Sequence, residues 1–428
     1  MSARARPPRG GAPSHGEDIA QRQEGTPVGA GMPQPLAGIT VLDLTQIYNG
    51  PYATFLMARA GADIVKIEPP GGEHLRKRET LPDDVVTVPF AMFNANKRSL
   101  CLDLKTDTGR AVLRRLAARA DVLVENFTPS AMERLGLGAE SLMAANPRLI
   151  YASSSGYGST GPYRDYPAMD LAVQAMSGVL SSTGQPDGDP VKAGPAVCDF
   201  MAGIHLYGAI VTALLRRERT GAGGRVEVSM MEAVYPSLAS NLGGLRRGNR
   251  RPQRTGNRHG GMGLAPYNVY PSADGHVAII TTNEKHWRAL VAALDLDALA
   301  ADPRYATRDA RARHMDELDE ALGAVTRRLG NAELLARLRA RTVPCAPVQE
   351  LLDVVDDPHL HARGALRHID HPAYGRILVP DTPLRFLDQE PPPYRPSPGL
   401  GSQAREILAD LLQCGDDELD RLQAELSP

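Results

Sequence analysis

Asp170 stands second in the segment MDLAVQAMSG, at the start of an otherwise apolar helical stretch. An acidic residue in a first turn ordinarily caps the helix or answers its dipole. It can also be a nucleophile, because a carboxylate is ionised at neutral pH without a general base. Spacing alone does not choose between these roles. GYGSTG (156–161) has the G-x-G-x-x-G spacing and comes after a predicted strand, but Pro162 and Pro167 turn the next stretch into a loop. No strand ending in Asp or Glu stands where a dinucleotide site needs one, so that reading fails. HGGMG (259–263) offers backbone N–H donors or a mobile lid. Before it stand Arg246, Arg247, Arg250, Arg251, Arg254 and Arg258, either an exposed linker or a basic rim for phosphate or carboxylate groups. His359, His361, His368 and His371 crowd one stretch without a ligand period, and they read as solvated loop histidines rather than a metal site.

The elements that must hold these residues are legible from periodicity. Ile39–Leu44, Asp63–Glu68, Asp121–Asn126, Arg148–Ser154 and Arg225–Ser229 read as strands separated by helical stretches. That alternation predicts an α/β fold, a Rossmann-like parallel sheet covered by helices. YNVY and HVAII form a predicted antiparallel pair around 272–275, and helices over 284–294, 314–329 and 332–340 complete a smaller α+β unit. RILVP (376–380) is one more predicted strand. The expected division is a disordered lead over 1–35, a large domain over 36–225, a linker over 226–262, a small domain over 263–342 and a return to the large domain over 343–428.

Composition narrows the function. Lys plus Arg number 48 against 50 for Asp plus Glu, a net charge of -2 that argues against a nucleic-acid partner. The four cysteines are scattered, which fits a reducing cytoplasm and offers no disulfide framework. Ala196–Leu215 approaches the length of a membrane span, but it contains Asp199 and His205 and reads as a core helix, so no membrane association is expected.

Eight fragments in a fixed order resemble the class III CoA-transferases, the formyl-CoA transferase/carnitine dehydratase (CaiB/BaiF) family. They are PLAGITVLDLTQIYNGPYAT, GADIVKIEPPGG, NANKRSLCLDLKTDTGR, DVLVENFTPSAMERLGLG, NPRLIYASSSGYGSTGPY, MDLAVQAMSG, RRERTGAGGRVEVSM and VPCAPV followed by DPHLHARG. The resemblance runs from about Pro35 to about Leu412. It implies that Asp170 is the nucleophile, which attacks an acyl-CoA donor and passes CoA to a carboxylic acid acceptor through an aspartyl anhydride and an aspartyl-CoA thioester. It implies no cofactor beyond coenzyme A and no metal. Gly260 and Gly261 are implied to donate N–H groups to the oxyanions.

The CoA contacts implied by the resemblance are Tyr48, Asn49, Leu102, Asp103, Leu104, Lys105, Asn126, Phe127 and Arg134. Tyr48 stands where some members have Gln, and Pro69 where some have Arg. The family's 2-methylacyl-CoA racemases are the alternative reading. They use a His–Asp pair and a Glu: the His stands immediately before the family aspartate, where this chain has Met169, the Asp of the pair is kept as Asp199, and the position of their Glu resembles Asn283. A non-catalytic CoA-binding protein is the outside alternative. The implied assembly is an obligate interlocked homodimer of ring-shaped chains.

Overall fold

The computed structural model describes residues 32–77, 85–245 and 254–426. Almost all of the expected lead over 1–35 therefore lies outside the described residues, as do Arg246, Arg247, Arg250 and Arg251.

Six strands make one parallel sheet: β1 (Thr40–Asp43), β2 (Asp63–Glu68), β3 (Arg98–Cys101), β4 (Val122–Glu125), β5 (Ile150–Ser155) and β6 (Gly224–Ser229). Their order is β3-β2-β1-β4-β5-β6. The order reverses direction between β1 and β4, and in such sheets ligands bind outside the carboxyl ends of the strands at that switch. Val41, Leu42, Ile64, Val65, Val122, Leu123 and Val124 are all fully buried, because helices cover both faces. β3 has no counterpart among the predicted strands: it is a four-residue edge strand whose Arg98 and Ser99 mask the apolar signal. β6 runs to Ser229, past the boundary drawn at 225.

The 24-residue helix Val197–Thr220 lies across this sheet and against the helix Asn49–Arg59. It is a core helix on one side, with Leu206 and Ile210 fully buried and Arg217 paired to Asp121 at 2.8 Å. A Cβ on Gly203 would lie 2.6 Å from the Asn49 carbonyl oxygen, so glycine lets the two helices touch backbone to side. The C-terminal helices Ala404–Leu412 and Asp416–Glu425 return to the sheet, where Ile407, Leu408 and Leu422 share a core with Leu100, Leu113 and Leu123.

A second core surrounds Trp287, Leu290, Leu318, Leu322 and Leu338. Its sheet comprises β7 (Tyr267–Pro271), β8 (His276–Ile280) and β9 (Cys345–Pro347), all antiparallel. A hairpin, β10 (Leu366–His371) with β11 (Gly375–Pro380), stands apart from both sheets. This corrects the reading of the histidine-rich stretch as loop. His368 and His371 lie on β10, and His371 is buried with its Nε2 3.3 Å from Ser397 Oγ. Burial holds that imidazole below its ordinary value.

Candidate functional site

The crevice at the switch point is built by the turns after β1 and β4. Asn126 locks them together: Gln46 N–H donates to its Oδ1 at 2.8 Å, and its Nδ2 donates to the Gln46 carbonyl at 2.9 Å. Ile47 comes next, in the left-handed region at φ 66°. A β-branched residue there costs about 1–3 kcal/mol and persists only where its surroundings over-determine it. Here the Asn126 clamp precedes it, and the Ile47 N–H points at Glu73 Oε2, 3.4 Å away.

Beneath these turns lies a buried charge network. Lys97 Nζ donates to Asp43 Oδ2, Thr54 Oγ1 and Asn94 Oδ1 at 2.8, 2.8 and 2.9 Å. Burial alone would raise the Asp43 carboxyl, but Lys66 and Lys97 hold it well below the usual carboxylate range. Burial in turn lowers Lys97 to about 8 against the pull of Asp43. Arg76 grips Glu68 through two bonds of 2.9 and 2.7 Å and lies 4.1 Å from the centroid of the Phe90 ring. These pairs fix the 73–77 turn against the sheet.

The crevice encloses about 750 Å³. Asn49, Asn126 and Phe127, three of the residues expected to contact CoA, line it. So does Asp199, the racemase aspartate position, together with His74, Lys77, Arg164, Tyr157 and Tyr166, loop residues that the sequence did not single out. Their signal was present only as basic and aromatic residues in loops, with nothing to say which loops meet. Tyr48, Arg134 and the 102–105 segment are not among the residues lining it. Tyr48 stacks on Phe200 at 5.8 Å and meets Phe93 edge-on at 5.9 Å. Leu102 is buried in the sheet core, and Leu104 packs into that same core together with Phe127. Asp103 Oδ1 accepts from Lys105 N–H at 2.9 Å, a turn that leaves Lys105 exposed. Arg134 is exposed at the end of the one-turn helix Ala131–Arg134.

Glu125, the residue before the Asn126 clamp, ends β4 with its carboxyl buried. Burial pushes it up to about 7, with Glu133 and Glu227 adding to the rise while the Phe127 N–H and Arg225 oppose it. The Phe127 N–H donates to its Oε2 at 2.8 Å. The glycine turn 156–161 forms one wall: Ser159 Oγ donates to Glu227 Oε2 at 2.6 Å, and a Cβ on Gly156 would strike that of Ala168 at 2.1 Å.

Asp170 lies just past this wall as the first residue of the helix Asp170–Ser177. Neither capping its own helix nor lying free, its carboxylate reaches across to the start of the long helix. Oδ1 accepts from Cys198 N–H at 2.8 Å and Asp199 N–H at 3.3 Å, and Oδ2 accepts from Gln174 Nε2 at 2.5 Å. The positive end of a 24-residue helix thus faces the negative charge. Burial raises the neighbouring Cys198 thiol to about 12, with Asp170 and Asp199 adding to the rise, so it stays protonated.

Gly260 and Gly261 line a different groove of about 690 Å³ or stand beside it: Gly261, His259, Met262, Arg308 and Arg313 form its walls, and a Cβ on Gly260 would meet Asn241 at 2.7 Å. Gly261 N–H is taken by His259 Nδ1 at 3.2 Å. The loop is tied to the chain beyond Asp170, since Gly256 N–H donates to the Gly184 carbonyl at 3.0 Å and Arg254 Nε to that of Gln185 at 3.2 Å. Arg258 is spent on Asp316 and Asp319 at 2.6 and 2.7 Å, so these two arginines of the basic run hold structure. Among the described residues no group of three or more His, Cys, Asp or Glu is arranged to hold a metal ion.

The family model described as "CoA-transferase family III" matches residues 36–404. A succinate–glutarate CoA-transferase of Agrobacterium fabrum is 37% identical over 387 residues, covering 88% of this chain and 96% of that protein. A formyl-CoA:oxalate CoA-transferase of Streptomyces avermitilis is 35% identical over 409 residues, covering 92% and 99%. The crystal structure of a CaiB/BaiF family protein from Brucella suis superposes with a TM-score of 0.78 at 34% identity, covering 88% of this chain and 99% of that one.

Proposed function

The chain belongs to CoA-transferase family III, enzymes that move CoA between acyl-CoA thioesters and carboxylic acids, and we propose that Asp170 is the residue that carries the transfer. The observation behind this reading is the carboxylate's setting: it is held by two backbone N–H groups of the long helix, beside a crevice at the topological switch point. Oδ2 attacks the donor thioester carbonyl; the C–S bond breaks and its electron pair leaves on sulfur as CoA thiolate. The thiolate then attacks Asp170 Cγ, the Cγ–Oδ2 bond breaks, and the donor departs as its free acid carrying that oxygen. An acceptor carboxylate opens the aspartyl-CoA thioester at Cγ and expels thiolate. Attack of the thiolate on the acceptor's carbonyl releases the new acyl-CoA and restores the carboxylate. Negative charge at Cγ develops on Oδ1, where Cys198 and Asp199 already donate. Gly260 and Gly261 are assigned the corresponding role at the acyl carbonyl, which requires their loop to move to the crevice and the Gly261 N–H to leave His259, and the family chemistry needs no cofactor beyond CoA.

The crevice is the CoA site, with Asn49, Asn126 and Phe127 as contacts, Lys77 and Arg164 supplying cations and His74 an imidazole at its rim. A dicarboxylic acid is the proposed acceptor, since the two relatives act, by their names, with succinate, glutarate or oxalate. Met169 in place of an imidazole disfavours racemisation. The proposed division places 36–229 with the C-terminal helices in the large domain and 265–347 in the small one, in keeping with two separate cores. The enzyme is proposed to be a cytoplasmic, interlocked homodimer. Leu351, Leu352 and Leu387 are 79%, 81% and 96% exposed in the single chain, and Ile204 and Leu215 mark an uncovered stripe on the long helix. Incubating purified enzyme with succinyl-CoA and a panel of mono- and dicarboxylic acids tests the substrate reading. New acyl-CoA from dicarboxylic acceptors supports it, and turnover confined to monocarboxylic acids contradicts it.

A further inference from the structure

Gln174 is a fully buried amide in a helix whose core-facing side chains are otherwise apolar or small. A buried amide must satisfy both ends, and this one does so across two elements. Its Oε1 accepts from Ala193 N–H at 2.9 Å, which fixes Nε2 as the donor, and Nε2 donates to Asp170 Oδ2 at 2.5 Å. One turn of helix separates the two side chains, so the contact is the local i,i+4 geometry rather than an accident of packing. The carboxylate is therefore fixed from both sides, by Gln174 on Oδ2 and by the start of the long helix on Oδ1.

We infer that Gln174 is the positioning residue of the transfer: it holds the Asp170 carboxylate in the one plane that leaves Oδ2 aimed at the donor carbonyl while Oδ1 stays on the Cys198 and Asp199 amides. This rests on Asp170 being the nucleophile. Gln174 touches neither the thioester nor the acid; it acts through Asp170. The two oxygens are thereby given different work. Oδ2, with a single donor, forms the anhydride bond, and Oδ1, with two donors, takes the negative charge each time Cγ is attacked. Without the amide, the carboxylate is held only at Oδ1 and Oδ2 can swing about that anchored oxygen, and a misplacement of about 1 Å costs on the order of 10²-fold in rate.

A structural role, tying the helix to the 193 segment, must be separated from this one, and Gln174→Glu does so. It is nearly isosteric and keeps an acceptor for Ala193 N–H, but it sets a second carboxyl against Asp170. Two such groups share one proton, and the pair's upper titration rises above the ordinary carboxylate range. The other titratable groups on elements packed around Asp170 are Cys198 and Asp199 on the long helix, Lys192 on the preceding segment and Glu232 on the helix Met230–Val234.

The test measures kcat and KM against pH for wild type, Gln174→Met and Gln174→Glu, with the melting temperature as a check on folding. Gln174→Met is expected to lose on the order of 10²-fold in kcat with KM for acyl-CoA unchanged. Gln174→Glu is expected to approach wild-type kcat at mildly acid pH, where the shared proton restores a donor. It then falls with a one-proton dependence as pH rises, over a range where the wild type is flat. A Gln174→Glu profile parallel to that of the wild type overturns the inference, whether its rate is high or low. Trapping with hydroxylamine in the presence of acyl-CoA keeps the two claims apart. An adduct on a carboxylate other than Asp170 sinks the nucleophile assignment. An adduct on Asp170 together with the parallel profile sinks only the role of Gln174.

Discussion

Glu125 ends β4 beside the Asn126 clamp with its carboxyl raised by burial from 4.5 to about 7, so replacing it by glutamine tests how burial sets its charge. In its protonated form the carboxyl still accepts the Phe127 N–H at 2.8 Å. Glutamine keeps that acceptor without a titrating proton. The folded-state value lies above the unfolded one, so the folded chain holds this proton longer. The stabilisation is fully present below about 4.5 and is lost as pH rises through about 7. The difference of 7 − 4.5 units corresponds to about 3 kcal/mol, an order-of-magnitude figure. Urea unfolding of wild type and Glu125→Gln from pH 4.5 to 8, at one protein concentration and ionic strength, reads the difference directly. The two should be nearly equal in stability at pH 4.5. The variant should gain through the neutral range until it is about 3 kcal/mol more stable at pH 8. Glu133, Arg225 and Glu227 remain in both proteins and cancel. A difference that does not change with pH would refute the reasoning.

Lys97→Met strands the Asp43 carboxylate in the core and should cost about 3–5 kcal/mol in urea unfolding. A loss below about 1 kcal/mol would mean that the Asp43 carboxyl is not held as an ion. Asn126→Ala removes both bonds to Gln46 and frees the Ile47 turn, so KM for acyl-CoA should rise about tenfold with kcat little changed. An unchanged KM would detach that turn from CoA binding. The proposed interlocked dimer should survive dilution to nanomolar concentration in sedimentation, because entangled chains separate only by unfolding. A folded monomer would contradict the interlocked assembly.

The parallel sheet was legible because its strands are short apolar runs at β-α-β spacing, and five of the six could be placed from pattern alone. β3 was hidden by its length and by Arg98, whose partners Asp63, Glu406 and Asp410 come from distant segments. β10 was hidden by its histidines, although alternate residues Ile369 and His371 point inward as a strand requires. At the site, Asp170 could be picked out as a carboxylate at a helix start, but the helix whose N–H groups it accepts begins far along the chain, with Cys198 28 residues later. No local period reports such a contact. Gln174 was not singled out in the sequence for the same reason: its second partner, Ala193, is supplied by tertiary structure.

The central claim is that Asp170 becomes covalently linked to the acyl or CoA group. Its direct test is peptide mass spectrometry of the enzyme quenched with hydroxylamine during turnover, beside Asp170→Asn and Asp170→Ala. The account predicts a hydroxamate on the Asp170 peptide only when acyl-CoA is present, and a loss of several orders of magnitude in kcat for both variants with CoA binding retained. An adduct on another carboxylate, or near-normal transfer by Asp170→Ala, would contradict it.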